Sequence, residues 1–235
     1  MTSGLSSRLA AVAAFVTPRR PMADIGTDHA LLPLTLVREG IVPSAIAMDL
    51  TAGPLSAARL ATAGFHQSID VRQSDGFDAL ADGEVDTVTL CGMGGQTMAR
   101  ILSDGLPSMA SLKRVVTQPQ GAIELVRQSM CNLQWRCIDG AIVDDRGKLY
   151  VVECWERAPL VETWTADDLR WGKVFRASPG PMYERWLLRE LAAIELGLAK
   201  LRLNAVQGHP DEEPMEADRA RVLRELGRLG HKPRS

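Results

Sequence analysis

Five short apolar runs between Pro21 and Met130 stop at a glycine, an acid or an amide, and four of them give way to a segment with helical spacing. This alternation limits the fold more than any other feature. The runs are Pro21–Gly26, Ser44–Leu50, Ile69–Asp75, Asp86–Gly95 and Arg114–Pro119. Helical segments follow from about Leu32 to Gly40, Pro54 to Ala63, Gly95 to Leu102 and Ala122 to Met130. Consecutive parallel strands need such crossovers, and the crossovers cover both faces of the sheet, so the expected core is α/β and mostly parallel. Two further runs, Trp135–Asp145 and Lys148–Arg157, flank a glycine-containing turn and predict a hairpin that adds an antiparallel edge.

Beyond the hairpin the rhythm changes. Residues Ala158 to Pro181 read as irregular, punctuated by Pro159, Pro179, Gly180 and Pro181. Met182–Gly208 then carries Leu187, Leu191, Ile194, Leu198 and Leu201 on one helical stripe, HPDEEP interrupts, and Glu216–Leu229 gives a second amphipathic helix. The expected division is a core over residues 1–160 and a connector with a C-terminal helical hairpin over 161–235. Ahead of the first strand, Leu5–Val16 reads as a helix rather than a secretory leader, because Arg8 breaks the apolar run. No stretch reaches the length of a membrane span, so a cytoplasmic protein with no membrane association is expected. Cys91, Cys131, Cys137 and Cys154 show no ligand-pair spacing and are expected as free thiols, with no metal site.

In parallel α/β sheets ligands gather outside the carboxyl ends of the strands. Asp24, Gly26, Asp28 and His29 cluster after the first strand, Asp49 ends the second, Asp75 and Gly76 the third, Gly92, Met93 and Gly94 the fourth, and Gln118 and Gln120 the fifth. The G-x-G-x-x-G pattern that receives a pyrophosphate is missing, and Asp28 would repel an anion there, which argues against a nicotinamide-dependent dehydrogenase. A ligand that is cationic near this turn and carries a ribose near Asp49 suits the charges, and S-adenosyl-L-methionine has both properties. The formal net charge of -2, from 27 basic and 29 acidic residues, argues against a uniformly basic nucleic-acid binder and leaves a local patch open.

DIGTDHALLP at Asp24–Pro33, IAMDLTAGPL at Ile46–Leu55, SDGFDAL at Ser74–Leu80 and CGMGG at Cys91–Gly95 together resemble the bacterial tRNA adenine-22 N1-methyltransferase family. SSRLAAVAAFV at Ser6–Val16 is similar to that family's opening helix, and DDRGKLYVVECWE at Asp144–Glu156 to its hairpin. The resemblance implies a Rossmann-like class I methyltransferase sheet with C-terminal helices, S-adenosyl-L-methionine as cofactor and tRNA as partner. It implies that Asp24, Gly26, Asp28 and His29 form the cofactor and reaction-facing turn, and that Asp49 holds the ribose. Asp75 and Gly76 would border the adenine, and Gly92, Met93 and Gly94 would floor the site beside the methyl group. The family commonly reads QPN where this chain has Gln118, Pro119 and Gln120.

Adenine N1 carries an in-plane lone pair, so methyl transfer to it needs alignment more than a strong base. Asp28 is the candidate for stabilising the cationic product or receiving a proton from the exocyclic amine, Gln118 or Gln120 for holding the adenine edge, and His29 or Met93 for packing against the ring. Arg185, Arg189, Lys200, Arg202, Arg219, Arg221, Arg224 and Arg228 give the helical tail cations for phosphate contacts, interleaved with Glu184, Glu190, Glu195 and Glu225. The residues alone leave open a methyltransferase acting on another RNA position or a small molecule, a non-catalytic RNA-binding protein, and a monomer or a weak homodimer.

Overall fold

The computed structural model describes residues 4–158, 162–204 and 210–231. The chain divides into two compact units, Met1–Arg176 and Ala177–Ser235. The expected boundary at residues 160 and 161 lies outside the described residues.

The first unit is built on β1 (Met22–Ile25), β2 (Ala45–Asp49), β3 (Ile69–Gln73), β4 (Thr87–Cys91), β5 (Arg114–Gln118), β6 (Trp135–Asp145) and β7 (Lys148–Arg157). They form one sheet in the order β3-β2-β1-β4-β5-β7-β6, with β1 to β5 parallel and β7 antiparallel between β5 and β6. The expected hairpin is therefore present, and its second strand, not its first, joins the parallel sheet. Strand order reverses between β1 and β4, and at such a switch point the neighbouring crossovers leave on opposite sides and open a crevice.

Helices α1 (Ser7–Phe15), α2 (Leu31–Arg38), α3 (Ala52–Ala61), α4 (Gly95–Gly105) and α5 (Ile123–Asn132) accompany the sheet. One core contains Val88, Leu90, Met98, Leu102, Val126 and Met130; a second sets Val12, Ala13 and Val16 of α1 and Leu32 and Leu36 of α2 against Met22, Val116, Val152 and Cys154. Both faces are thus dry, and β1 and β4 are buried along their length apart from Cys91 at the end of β4.

The segment expected to be irregular contains two short helices, α6 (Ala166–Trp171) and α7 (Lys173–Ala177). Thr165 and Asp168 close a reciprocal capping box at the start of α6, and the carbonyls of Leu169 and Arg170 at its end accept from buried Arg127 on α5, at 2.8 and 2.7 Å. Prolines at the margins of this stretch signalled a loop, but a local capping box at one end and a tertiary cap from Arg127 at the other supply what so short a helix lacks on its own.

The second unit contains α8 (Pro181–Asn204) and α9 (Glu212–Arg228). Residues 205–208, expected to continue the first helix, lie outside the described residues. The second helix begins four residues ahead of its expected start because Pro214 falls in its first turn, where no intrahelical N–H is required. A Cβ on Gly197 would lie 2.4 Å from Met215 Cε, so the small residue admits the partner helix. Among the described residues no helix is long and apolar enough to cross a membrane. All four cysteines are free.

Candidate active site

The acidic turn after β1 is shaped by its backbone. Gly26 has φ +75°, and the N–H groups of Gly26 and Thr27 donate to the Met48 carbonyl of β2 at 2.8 and 2.9 Å. The chain therefore bends toward β2. Asp28 and Ala30 take left-handed conformations, at φ 52° and 53°, which cost roughly 1–2 kcal/mol each for residues with a Cβ. These two unusual residues bracket His29 and hold Asp28 and His29 outward, with His29 Nε2 3.5 Å from Asp28 Oδ1.

Asp24 faces the opposite way. It is buried, and Thr89 of β4 donates to its Oδ1 at 2.5 Å. Burial pushes its carboxyl up to about 6, against the lowering effect of the Thr89 hydrogen bond. The Thr27 hydroxyl, also buried here, acts on Asp24 in the same lowering sense as Thr89. At the end of β2, Asp49 Oδ1 accepts from the Thr51 N–H and hydroxyl at 3.0 and 2.9 Å, which leaves Oδ2 at the cleft.

The loops after β4 and β5 are locked together. Gly92 N–H donates to the Gln118 carbonyl at 3.1 Å, Gln120 N–H to the Met93 carbonyl at 2.9 Å, and Gly95 N–H to the Gly121 carbonyl at 3.1 Å. A Cβ on Gly95 would lie 2.2 Å from the Gly121 oxygen, so only glycine allows this approach. Met93 reaches back to the first turn: a Cβ on Gly26 would lie 2.7 Å from its Cε.

A cleft of about 540 Å³ opens at this point, within the range of small-ligand sites. Asp24, Gly26, Asp28, His29, Asp49, Gly92 and Gln120 line it together. Met93 and Gly94 belong to its locked floor loop without lining it. Asp75 and Gly76 instead border a separate depression of about 150 Å³, where Arg100 on α4 donates to Asp75 at 2.9 Å.

Gln118, one of the two glutamines expected to hold the adenine edge, is fully buried. Its Oε1 accepts from Arg8 Nη1 at 2.7 Å and from Gly92 N–H at 3.2 Å, and its Nε2 donates to the Pro119 carbonyl at 3.0 Å. Both ends of the amide are therefore occupied, and the exposed glutamine of the pair is Gln120. Arg8 is the charged cleft residue that sequence reasoning missed, along with Thr27, Thr51 and Cys91; the available signal was a cation breaking an apolar helical stripe at its first turn.

Cys91 also lines the cleft, and burial, reinforced by the Asp24 charge, pushes its thiol well up, so it stands as a thiol and not as a nucleophilic thiolate. Among the described residues no group of three or more His, Cys, Asp or Glu is placed to hold a metal ion. A depression of about 260 Å³ near the opposite strand ends lacks this convergence, since its cation, Arg72, is held by Asp70 and Glu84.

Several cations expected to contact RNA in the second unit are paired within it. Arg202 bridges Glu212 and Glu216, Arg219 approaches Glu195 at 3.3 Å, and Arg228 donates to buried Glu225 at 2.7 Å. Tyr183 donates to the same Glu225 oxygen at 2.7 Å, joining α8 to α9.

Comparison with known proteins places these features in context. Residues 5–152 match the family described as "Methyltransferase domain". The tRNA (adenine(22)-N(1))-methyltransferase of Bacillus subtilis is 38% identical over 150 residues, a stretch spanning 63% of this chain and 63% of that protein. The crystal structure of the B. subtilis tRNA (m1A22) methyltransferase TrmK superposes with a TM-score of 0.82 at 28% identity, covering 94% of this chain and 98% of that one. A Streptococcus pneumoniae protein, Sp1610, provisionally assigned the same activity and solved in complex with S-adenosyl-L-methionine, gives 0.84 at 27% identity, over 94% and 99%.

Proposed function

Because the chain belongs to the methyltransferase-domain family and groups within it with the bacterial tRNA (m1A22) methyltransferases, we propose that it transfers a methyl group from S-adenosyl-L-methionine to N1 of adenosine 22 in tRNA. The observation that carries this reading is the convergence of Asp24, Asp28, Asp49 and Gln120 on one cleft at the switch point of the sheet. Acting on tRNA, the protein works in the cytoplasm.

The cleft suits the cofactor chemically. Asp49 accepts the ribose hydroxyls, the Gly26 turn receives the amino-acid portion, and the negative charge of Asp24 and Asp28 balances a ligand bearing an ammonium and a sulfonium. When bound, S-adenosyl-L-methionine supplies a methyl group activated by its positive sulfur. Adenine lies beside β3, where Asp75 must exchange Arg100 for the base; the pair is about half exposed and therefore weak.

The remaining work falls to the acceptor side. Gln120 presents an amide to the adenine edge from the floor loop that Gln118 and Gly95 fix, and His29, which lines the cleft, packs against the ring. These residues align N1 behind the methyl carbon and opposite the sulfur, which is the main requirement for a nitrogen that already carries a lone pair. Methylation leaves the base cationic. Asp28, held outward by its left-handed backbone, stabilises that charge or takes the exocyclic proton once transfer is complete. Since the target base sits within folded RNA, it must be turned out of its stack to reach Gln120.

Incubation with labelled S-adenosyl-L-methionine and unmodified tRNAs, followed by nucleoside mapping, tests the reading. The expected product is 1-methyladenosine at position 22. Label at another nucleotide would redirect the acceptor assignment, and no transfer to any RNA would remove the enzymatic one.

A further inference from the structure

The cleft is acidic, whereas the proposed acceptor is a polyanion, so the approach must be lined by something other than Asp24, Asp28 and Asp49. Strand β7 offers a route. Alternate residues of a strand share a face. Lys148, Tyr150, Val152 and Cys154 therefore lie on one side of β7, and Val152 and Cys154 are buried against α1. Past the first turn of α1 this face opens to solvent, and the residues there are Tyr150 and then Lys148 at the hairpin tip.

Two cations are fixed on that opening. Arg8, at the start of α1, lies with its guanidinium carbon 5.6 Å from the centre of the Tyr150 ring, and Lys148 Nζ lies 4.9 Å from the same centre. An aromatic ring attracts cations through its quadrupole, so Tyr150 holds both in place without neutralising either. The hydrogen bond of Arg8 to Gln118 likewise uses a neutral amide. Among the described residues neither cation is in an ion pair, in contrast to Arg202, Arg219 and Arg228. Nearby Asp144 closes the hairpin turn by accepting from Gly147 N–H at 2.7 Å, while Asp145 is the register partner of Lys148 across the ladder. The inner end of the strip enters the cleft, because Arg8 lines it and Arg8 Nη1 would lie 3.5 Å from a Cβ on Gly92.

We propose that Tyr150 and Lys148, continuous with Arg8, form an RNA-docking strip in the catalytic unit that holds the phosphate backbone beside the methylated nucleotide. The proposal rests on the tRNA reading and deepens it: it names the surface of this unit that carries the strand. Ordered cations next to an acidic cofactor pocket separate the two tasks. The acids face a cationic cofactor; Arg8, whose charge also acts on Asp24, marks where the strip meets them, and Lys148 and Tyr150 face the anionic acceptor.

The test uses the full-length protein with unmodified tRNA, measuring methyl transfer, tRNA binding against salt concentration, and S-adenosyl-L-methionine binding by calorimetry. For Lys148→Ala the KM for tRNA should rise about fivefold, and the slope of log K against log salt should shrink by about 0.7–0.9, as expected for one lost phosphate contact. Lys148→Arg should restore both, Tyr150→Phe should resemble wild type, and Tyr150→Leu should weaken tRNA binding while cofactor affinity stays within about twofold. Unchanged KM and salt slope in Lys148→Ala, with wild type active on tRNA, would overturn the strip alone. A loss of cofactor affinity in Lys148→Ala or Tyr150→Leu would reassign the strip to the cofactor. If wild type neither bound nor methylated tRNA, the functional reading itself would fall.

Discussion

The acidic cleft and the α8–α9 hairpin both carry many charges, but they use them in opposite ways. In the cleft, Asp28 and Asp49 project from strand ends, and their only described close contacts are to a neighbouring histidine and to a threonine two residues away. In the hairpin, Arg202, Arg219 and Arg228 face glutamates of the same unit. The same residue types thus serve a ligand in one region and hold two helices together in the other. Counting charges along the sequence does not separate the cases; the partner of each charge does.

If this contrast is right, changes in the cleft should act on turnover and binding, and changes in the hairpin should act weakly on stability. The largest effect is expected from Asp28→Asn, which removes the charge aimed at the developing cation and should slow single-turnover methyl transfer by about 10²–10³-fold while the cofactor still binds. An unchanged rate would remove the carboxylate from the mechanism.

Asp24 should give the next largest effect, and a pH-dependent one. Its folded carboxyl titrates at about 6 against an ordinary 3.8, so between those values the folded state binds more protons than the unfolded. Its contribution to stability is fully present below the lower value and is lost as pH rises through the upper one, by about 3 kcal/mol in all. Asp24→Asn should flatten this component, so urea unfolding at pH 4 and pH 7 should differ less for the variant than for wild type. Cofactor affinity of wild type should rise over the same interval, because the ionised carboxylate is the form that balances a cation.

Asp49→Ala removes charge-assisted hydrogen bonds to a ribose. Cofactor affinity should fall by about 1.5–3 kcal/mol, with little change in melting temperature. A drop in stability without one in affinity would place Asp49 among the structural acids. The smallest effect belongs to Arg202→Ala in the hairpin, where the guanidinium is exposed and solvent screens its half-buried partners: the denaturant midpoint should barely move. A larger loss would mean that the helical network, and not the cleft, carries the costly charges.

Much of this contrast was legible before any coordinates. Parallel strands and their crossovers follow from the alternation, and seven of the anticipated ligand residues, Asp24, Gly26, Asp28, His29, Asp49, Gly92 and Gln120, meet in one cleft because strand ends converge by topology. What stayed hidden depended on partners distant in sequence. Gln118 and Gln120 look equivalent in TQPQ, yet a strand buried on both faces gives no sign of which amide turns inward, and Arg8, 110 residues away, takes Gln118. The Asp75 pairing with Arg100 and the capping of α6 by Arg127 are hidden for the same reason. Thr165 with Asp168 was a readable capping signal, outweighed by the surrounding prolines.

The most direct test of the central claim is single-turnover methyl transfer to a tRNA transcript with adenosine at position 22, beside the same transcript with guanosine there. The account predicts one methyl group per adenosine transcript, recovered as 1-methyladenosine, and none on the guanosine transcript. Equal incorporation into both would contradict it.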